Sequence, residues 1–129
     1  MKKWYNKRMD YRAIARQICQ EEKLTPELTE ILCACIEVES GYNPHALHMN
    51  IDKSGNISSI DFGIVQINDH FQIGPGLPFP NAEYVLNNPK TCIEWMARMF
   101  GYGKMNLWAS YTSGAYKKYL PKVVTPKKT

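Results

Sequence analysis

Two carboxylates carry the chemical signal of this chain. Glu39 lies in IEVESGYNP (Ile36–Pro44), near the end of a segment whose apolar residues recur at helical spacing. Leu28, Leu32, Cys35 and Glu39 stand at i, i+4, i+7 and i+11, which is one face of a helix. Glu39 therefore ends a stripe that should face the core. Glu37, two positions earlier, points elsewhere and is expected in solvent. Burial disfavours a charged carboxylate, and so does the negative end of the helix dipole. Both effects raise the pKa, as is required of a carboxyl group that donates a proton near neutral pH. The plainer alternative is that Glu39 is only the polar rim of a helix end.

The second carboxylate is Asp61, in IDFGIVQIN (Ile60–Asn68), just past a turn and two residues before a glycine. If its lobe folds over the end of the Glu39 helix, the two carboxyl groups face each other across a groove. Such a pair can cleave a glycosidic bond, one as acid and the other as base, nucleophile or electrostatic stabiliser. The structural alternative is a turn carboxylate accepting backbone N–H groups. Asp52 reads as a turn residue of that kind.

The elements that position these residues can be read from spacing and punctuation. Ile14, Ala15, Ile18 and Cys19 predict a helix over about Asp10–Glu22. Thr25-Pro26-Glu27 supplies a cap, a first-position proline and a first-turn acid for the next helix, which runs to about Ser40 and stops at Gly41. In HALHMNIDKSGNISSID, DKSGN reads as a turn joining two short strands of a hairpin. FGIVQIN is strand or helix, and GPGLPFPN is irregular because its prolines and glycines forbid a regular element. Asn88-Pro89 repeats the cap-plus-proline signal and opens a helix through about Phe100. Two short helices close the domain, near Leu107–Thr112 and Ala115–Leu120. The expectation is a mostly helical α+β domain over residues 10–120, with a small β-hairpin lobe and basic flanks at 1–9 and 121–129.

The whole chain agrees with one globular unit: 129 residues, 44% hydrophobic and 22% charged. A net charge of +4 with neutral histidines suits an anionic polymer, but Lys and Arg gather mainly at the two ends. The alternation Tyr116-Lys117-Lys118-Tyr119 is too isolated to argue for nucleic acid. No apolar run is long enough to cross a membrane, and no apolar segment follows the basic MKKWYNKR as a secretory leader would require. His45, His48 and His70 lack metal-ligand spacing, and DKSGNISSID lacks the closing glutamate of a calcium loop, so neither cofactor nor metal is expected. Trp95, Phe100 and Trp108 read as core. Cys33 and Cys35 diverge on their helix and cannot readily pair. Buried free thiols are expected for Cys19, Cys33, Cys35 and Cys92, with one disulfide through Cys92 left open.

With these residues in place, ESGYNPHA (Glu39–Ala46) followed by DFGIVQIN (Asp61–Asn68) resembles the lysozyme-like superfamily. The likeness is greatest to the specialised lytic transglycosylases of secretion and conjugation systems and of phages, and it spans roughly residues 10–120. That family carries a Tyr-Asn-Ala-Gly motif where this chain has Tyr111-Thr112-Ser113-Gly114. The resemblance implies a lysozyme-like fold and cleavage of the β-1,4 bond between N-acetylmuramic acid and N-acetylglucosamine in peptidoglycan. It implies Glu39 as general acid and then base, Ser40 positioning it or the sugar, Gln66 and Asn68 lining the groove, and the Tyr111 hydroxyl near Glu39. The product would be 1,6-anhydromuramic acid. DFGIVQIN is similar to animal-type lysozymes as well, which keeps hydrolysis by Glu39 and Asp61 open. A non-catalytic glycan-binding or structural module of a virion or secretion apparatus is a further alternative. The implied setting is a monomer, or a domain of a larger virion or secretion assembly, made in the cytoplasm without a leader. It would act on the glycan strand of the wall as a phage-encoded, virion-associated, extracellular or periplasmic protein.

Overall fold

The computed structural model describes residues 9–122, so the basic flanks fall outside the described residues except for Met9, Pro121 and Lys122. Helix α1 (Tyr11–Glu21) is capped by Asp10, whose side chain accepts the Ala13 N–H at 3.1 Å. Helix α2 (Pro26–Ser40) begins with the three signals read from the sequence. Thr25 accepts the Leu28 N–H, Pro26 opens the first turn and Glu27 follows. It stops at Gly41, whose φ of 62° is the left-handed conformation that glycine adopts at little cost.

Helix α2 is the axis of the domain. Leu32, Cys33, Ala34, Cys35 and Ile36 are all buried, which is a wider face than a single stripe. Glu37 differs from its expectation: it pairs with Arg12 of α1 instead of standing free in solvent. Arg16 pairs with Glu30 in the same way, and the two bridges lace α1 to α2 along their half-exposed edges. Pairs of that exposure add little to stability, so the helices are held chiefly by the core beneath them.

The lobe after α2 is a three-stranded antiparallel sheet in the order β1-β2-β3. Strands β1 (Leu47–Ile51) and β2 (Ile57–Phe62) form the expected hairpin. Its turn is fastened by Asp52, whose side chain accepts the N–H groups of Ser54 and Asn56 at 2.9 Å. The third strand, β3 (Ile67–Asn68), is the tail of FGIVQIN. Residues 63–66 are a tight turn, so that segment is neither a full strand nor a helix. Register sets His48 opposite Asp61, Asn50 opposite Ser59 and Asp61 opposite Asn68. Alternation therefore places all five of these polar residues on one face of the sheet. Ile64, Val65 and Ile67 plug the lobe into the helical core.

Helix α3 (Ala82–Asn87) was not read from the sequence, although Asn81 caps it by accepting the Tyr84 N–H at 2.7 Å. Asn88 does not cap α4 (Pro89–Gly101) through its side chain as expected. It turns back and donates to the Tyr84 carbonyl at 2.8 Å, closing α3 instead. A single turn of 3₁₀ helix (Met105–Leu107), helix α5 (Ala109–Thr112) and a second 3₁₀ segment (Ala115–Tyr119) complete the chain. Phe79, Trp95, Trp108 and Phe100 meet edge to face in sequence, with centroids 5.4–5.5 Å apart. All four cysteines are buried and unpaired.

Candidate active site

The polar face of the sheet, the end of α2 and the start of α5 enclose a cleft of about 280 Å³. Glu39 and Asp61 both line it, with Gln66, Asn68, Phe71 and Leu107 around them. A larger hollow of about 490 Å³ lies elsewhere, between the start of α2 and the last 3₁₀ segment. Its walls are mainly apolar, and of its two acids Glu30 is already paired with Arg16. The smaller cleft is the one where polar groups converge.

Glu39 is half-buried at the floor of the cleft. Its Oε2 accepts the backbone N–H of Ser110 at 3.1 Å, from the first turn of α5. Burial holds its pKa above the usual carboxylate range, and the nearby charge of Asp61 pushes the same way. The Ser110 groups and His48 oppose this shift without cancelling it. The resulting carboxyl group is suited to hold a proton and give it up.

Asp61 is built differently. Its Oδ1 accepts from the Asn68 side-chain amide at 2.8 Å, and its Oδ2 from that of Asn50 at 3.2 Å. Both amides also reach Ser59 Oγ, so an amide–carboxylate network crosses the three strands. Asn68 completes it by accepting the N–H groups of His70 and Phe71 through its own Oδ1. Side-chain amides, and not the backbone N–H groups of a turn, thus hold Asp61. One carboxyl group is desolvated and the other is braced by neutral donors.

The other expected residues take distinct places. Gln66 lines the cleft from a left-handed backbone conformation, φ 61°, unusual for a residue with a Cβ. Its amide donates to the carbonyls of Gly63 and Ala46, so it braces the turn on which it sits. Ser40 donates to the Ile64 carbonyl at 2.5 Å, fastening the end of α2 beside Glu39 to the sheet lobe. Tyr111 has no hydrogen bond to Glu39: its ring stacks on Tyr116 with centroids 5.3 Å apart. Glu39 is met instead by the backbone N–H of the preceding residue, Ser110.

Sequence reasoning missed Asn50, Phe71 and Ser110. Asn50 was findable, since it alternates with His48 on a predicted strand. Phe71 is 70% exposed and edges the cleft, an apolar platform three residues after Asn68. Ser110 meets Glu39 across 71 positions, and nothing local announces such a contact. Among the described residues, no three His, Cys, Asp or Glu side chains gather to hold a metal ion, and no helix is long and apolar enough to cross a membrane. No family model matches the chain, and neither does any curated protein.

Proposed function

We propose that the chain is a lysozyme-like lytic transglycosylase that cleaves the β-1,4 bond between N-acetylmuramic acid and N-acetylglucosamine in peptidoglycan. The observation that carries this reading is Glu39, a carboxyl group with a raised pKa on the floor of a polar cleft, facing a second carboxylate braced by amides. Its motifs support the same reading. Glu39 gives its proton to the O4 leaving oxygen as the C1–O4 bond breaks. The standing charge of Asp61 stabilises the positive charge that develops at C1. Glu39, now ionised, takes the proton of the muramic acid 6-hydroxyl as that oxygen bonds to C1, closing the anhydro ring. Phe71 offers a face on which a sugar ring can rest, and the amides of the cleft wall suit N-acetyl groups.

Hydrolysis is the second reading, and the presence of Asp61 in the same cleft as Glu39 favours it. The first steps are shared. The outcomes divide when water, instead of the 6-hydroxyl, reaches C1, with Asp61 as nucleophile or stabiliser.

The test is digestion of purified peptidoglycan by the wild type and by Glu39→Gln, with the released muropeptides weighed by mass spectrometry. Products one water lighter than the reducing forms, absent with Glu39→Gln, are the expected result. Ordinary reducing ends favour hydrolysis. Wall binding without release refutes both enzymatic readings and leaves a glycan-binding module.

A further inference from the structure

We propose that the side-chain hydroxyl of Ser110 is a positioning group for Glu39: a rotatable second donor that meets the carboxylate only when Glu39 has given up its proton. The inference rests on Glu39 being the proton donor of the cleft.

Three observations carry it. Ser110 is 3% exposed, and its Oγ is a buried hydroxyl with no hydrogen-bond partner among the described residues. A buried hydroxyl left alone costs stability, so its retention calls for a reason. Next, the backbone N–H of the same residue already donates to Glu39 Oε2, which fixes the side chain beside that carboxyl. Finally, the hydroxyl lies close to two groups of α2, the Glu39 carboxyl and the Cys35 thiol, while meeting neither at hydrogen-bond geometry. Cys35 and Glu39 are one helical turn apart on the same face. The hydroxyl therefore lies over α2 between a carboxyl group and a thiol.

A serine hydroxyl has one proton to give and two lone pairs with which to accept. Cys35 is a neutral thiol, its pKa pushed up to about 11 by burial, so it does not compete as an anion for that proton. The other charged groups bearing on Glu39 are Asp61 of β2 and His48 of β1, which oppose one another. When Glu39 holds its proton, the hydroxyl is released toward Cys35 Sγ. When Glu39 is ionised, the hydroxyl turns and donates to it. The ionised state, which exists between the two proton transfers, gains a bond that the protonated state does not need.

The experiment is a ¹³C NMR titration of the Glu39 carboxyl in the full chain, assigned with Glu39→Gln, for wild type, Ser110→Ala and Ser110→Thr. Removing the hydroxyl should move the midpoint upward by about one pH unit, the worth of one hydrogen bond to an ionised group. The alkaline limb of peptidoglycan cleavage should move with it. The thermal midpoint of Ser110→Ala should not fall in acid, where Glu39 holds its proton and the hydroxyl is alone, and should fall only at pH values where Glu39 is ionised. Ser110→Thr should titrate as the wild type does. An unmoved midpoint in folded Ser110→Ala, or a threonine variant that titrates like the alanine one, overturns the inference even if the wall is cleaved. A moved midpoint in a protein that cleaves no peptidoglycan upholds the inference and refutes the proposed function instead.

Discussion

The indole N–H of Trp108 donates to the carbonyl of Val65 at 2.9 Å. The neighbouring carbonyl, that of Ile64, takes the Ser40 hydroxyl. Two successive carbonyls of the turn before β3 are thus held from different helical regions, one at the end of α2 and one at the start of α5. The bonds fix the sheet lobe against the two elements that present Glu39 and Ser110. Trp108→Phe keeps an aromatic ring but removes the donor, leaving the buried Val65 carbonyl without it. The expected loss is about 1–3 kcal/mol in urea unfolding, together with slower cleavage. Unchanged stability would show that water or a neighbour replaces the indole.

The raised pKa of Glu39 makes a prediction about stability as well as rate. Its folded carboxyl keeps a proton at pH values where the unfolded chain, near the ordinary 4.5, has lost it. Between those values the unfolded state binds fewer protons, so stability falls as pH rises. The favourable contribution is complete below pH 4.5 and is lost through the raised folded value. Glu39→Gln cannot ionise and can still accept the Ser110 N–H. It should therefore melt above the wild type at neutral pH, with the gap closing in acid, while cleavage falls by roughly 10²–10⁴-fold. A gap that stays constant from pH 4 to 8 would count against a desolvated Glu39.

The parts legible in the sequence were those written locally. Thr25, Pro26 and Gly41 bound α2 by their own backbone chemistry, and DKSGN made its turn through Asp52. Glu39 was legible because its place in a stripe of apolar residues is a matter of counting. Helix α3 escaped because its capping Asn81 follows a proline-rich loop that reads as irregular throughout. Asn88 misled for a related reason: an asparagine between two helices can serve either, and here it serves the one behind it. The FGIVQIN run was ambiguous because one short apolar segment holds the last residue of β2, a turn and the two residues of β3. The geometry of the cleft could not be read at all. Ser110 reaches Glu39, and Trp108 reaches Val65, only after the chain has closed over tens of residues.

Gly63 shows how tightly the turn beneath the cleft is specified. Its φ is 85°, and a Cβ built there would stand 3.0 Å from Val85 Cγ1 and 3.5 Å from the Pro44 carbonyl. Gly63→Ala carries both a backbone cost and a steric one, so a loss of about 1–3 kcal/mol is expected. Val85→Ala in the same chain should recover the steric part and leave the backbone part. A double-mutant cycle by urea unfolding separates them, since directly contacting sites are not additive. Strict additivity would mean that the Val85 side chain yields without cost.

Asp61→Asn bears on the chemistry most directly. Both carboxylate oxygens accept from side-chain amides, Asn68 on one side and Asn50 on the other. An asparagine there can accept on one side only and sets its own NH₂ against a donor on the other. The network across the three strands should loosen by about 1–3 kcal/mol, read from unfolding, and the carboxylate that lines the cleft with Glu39 is lost. If Asp61 only stabilises developing charge, cleavage should slow by roughly 10²–10³-fold while the anhydro product remains the product. If Asp61 is the nucleophile of a hydrolase, the wild type should give reducing ends and the variant should release almost none. Rate and product together therefore decide between a carboxylate that waits beside the reaction and one that takes part in it.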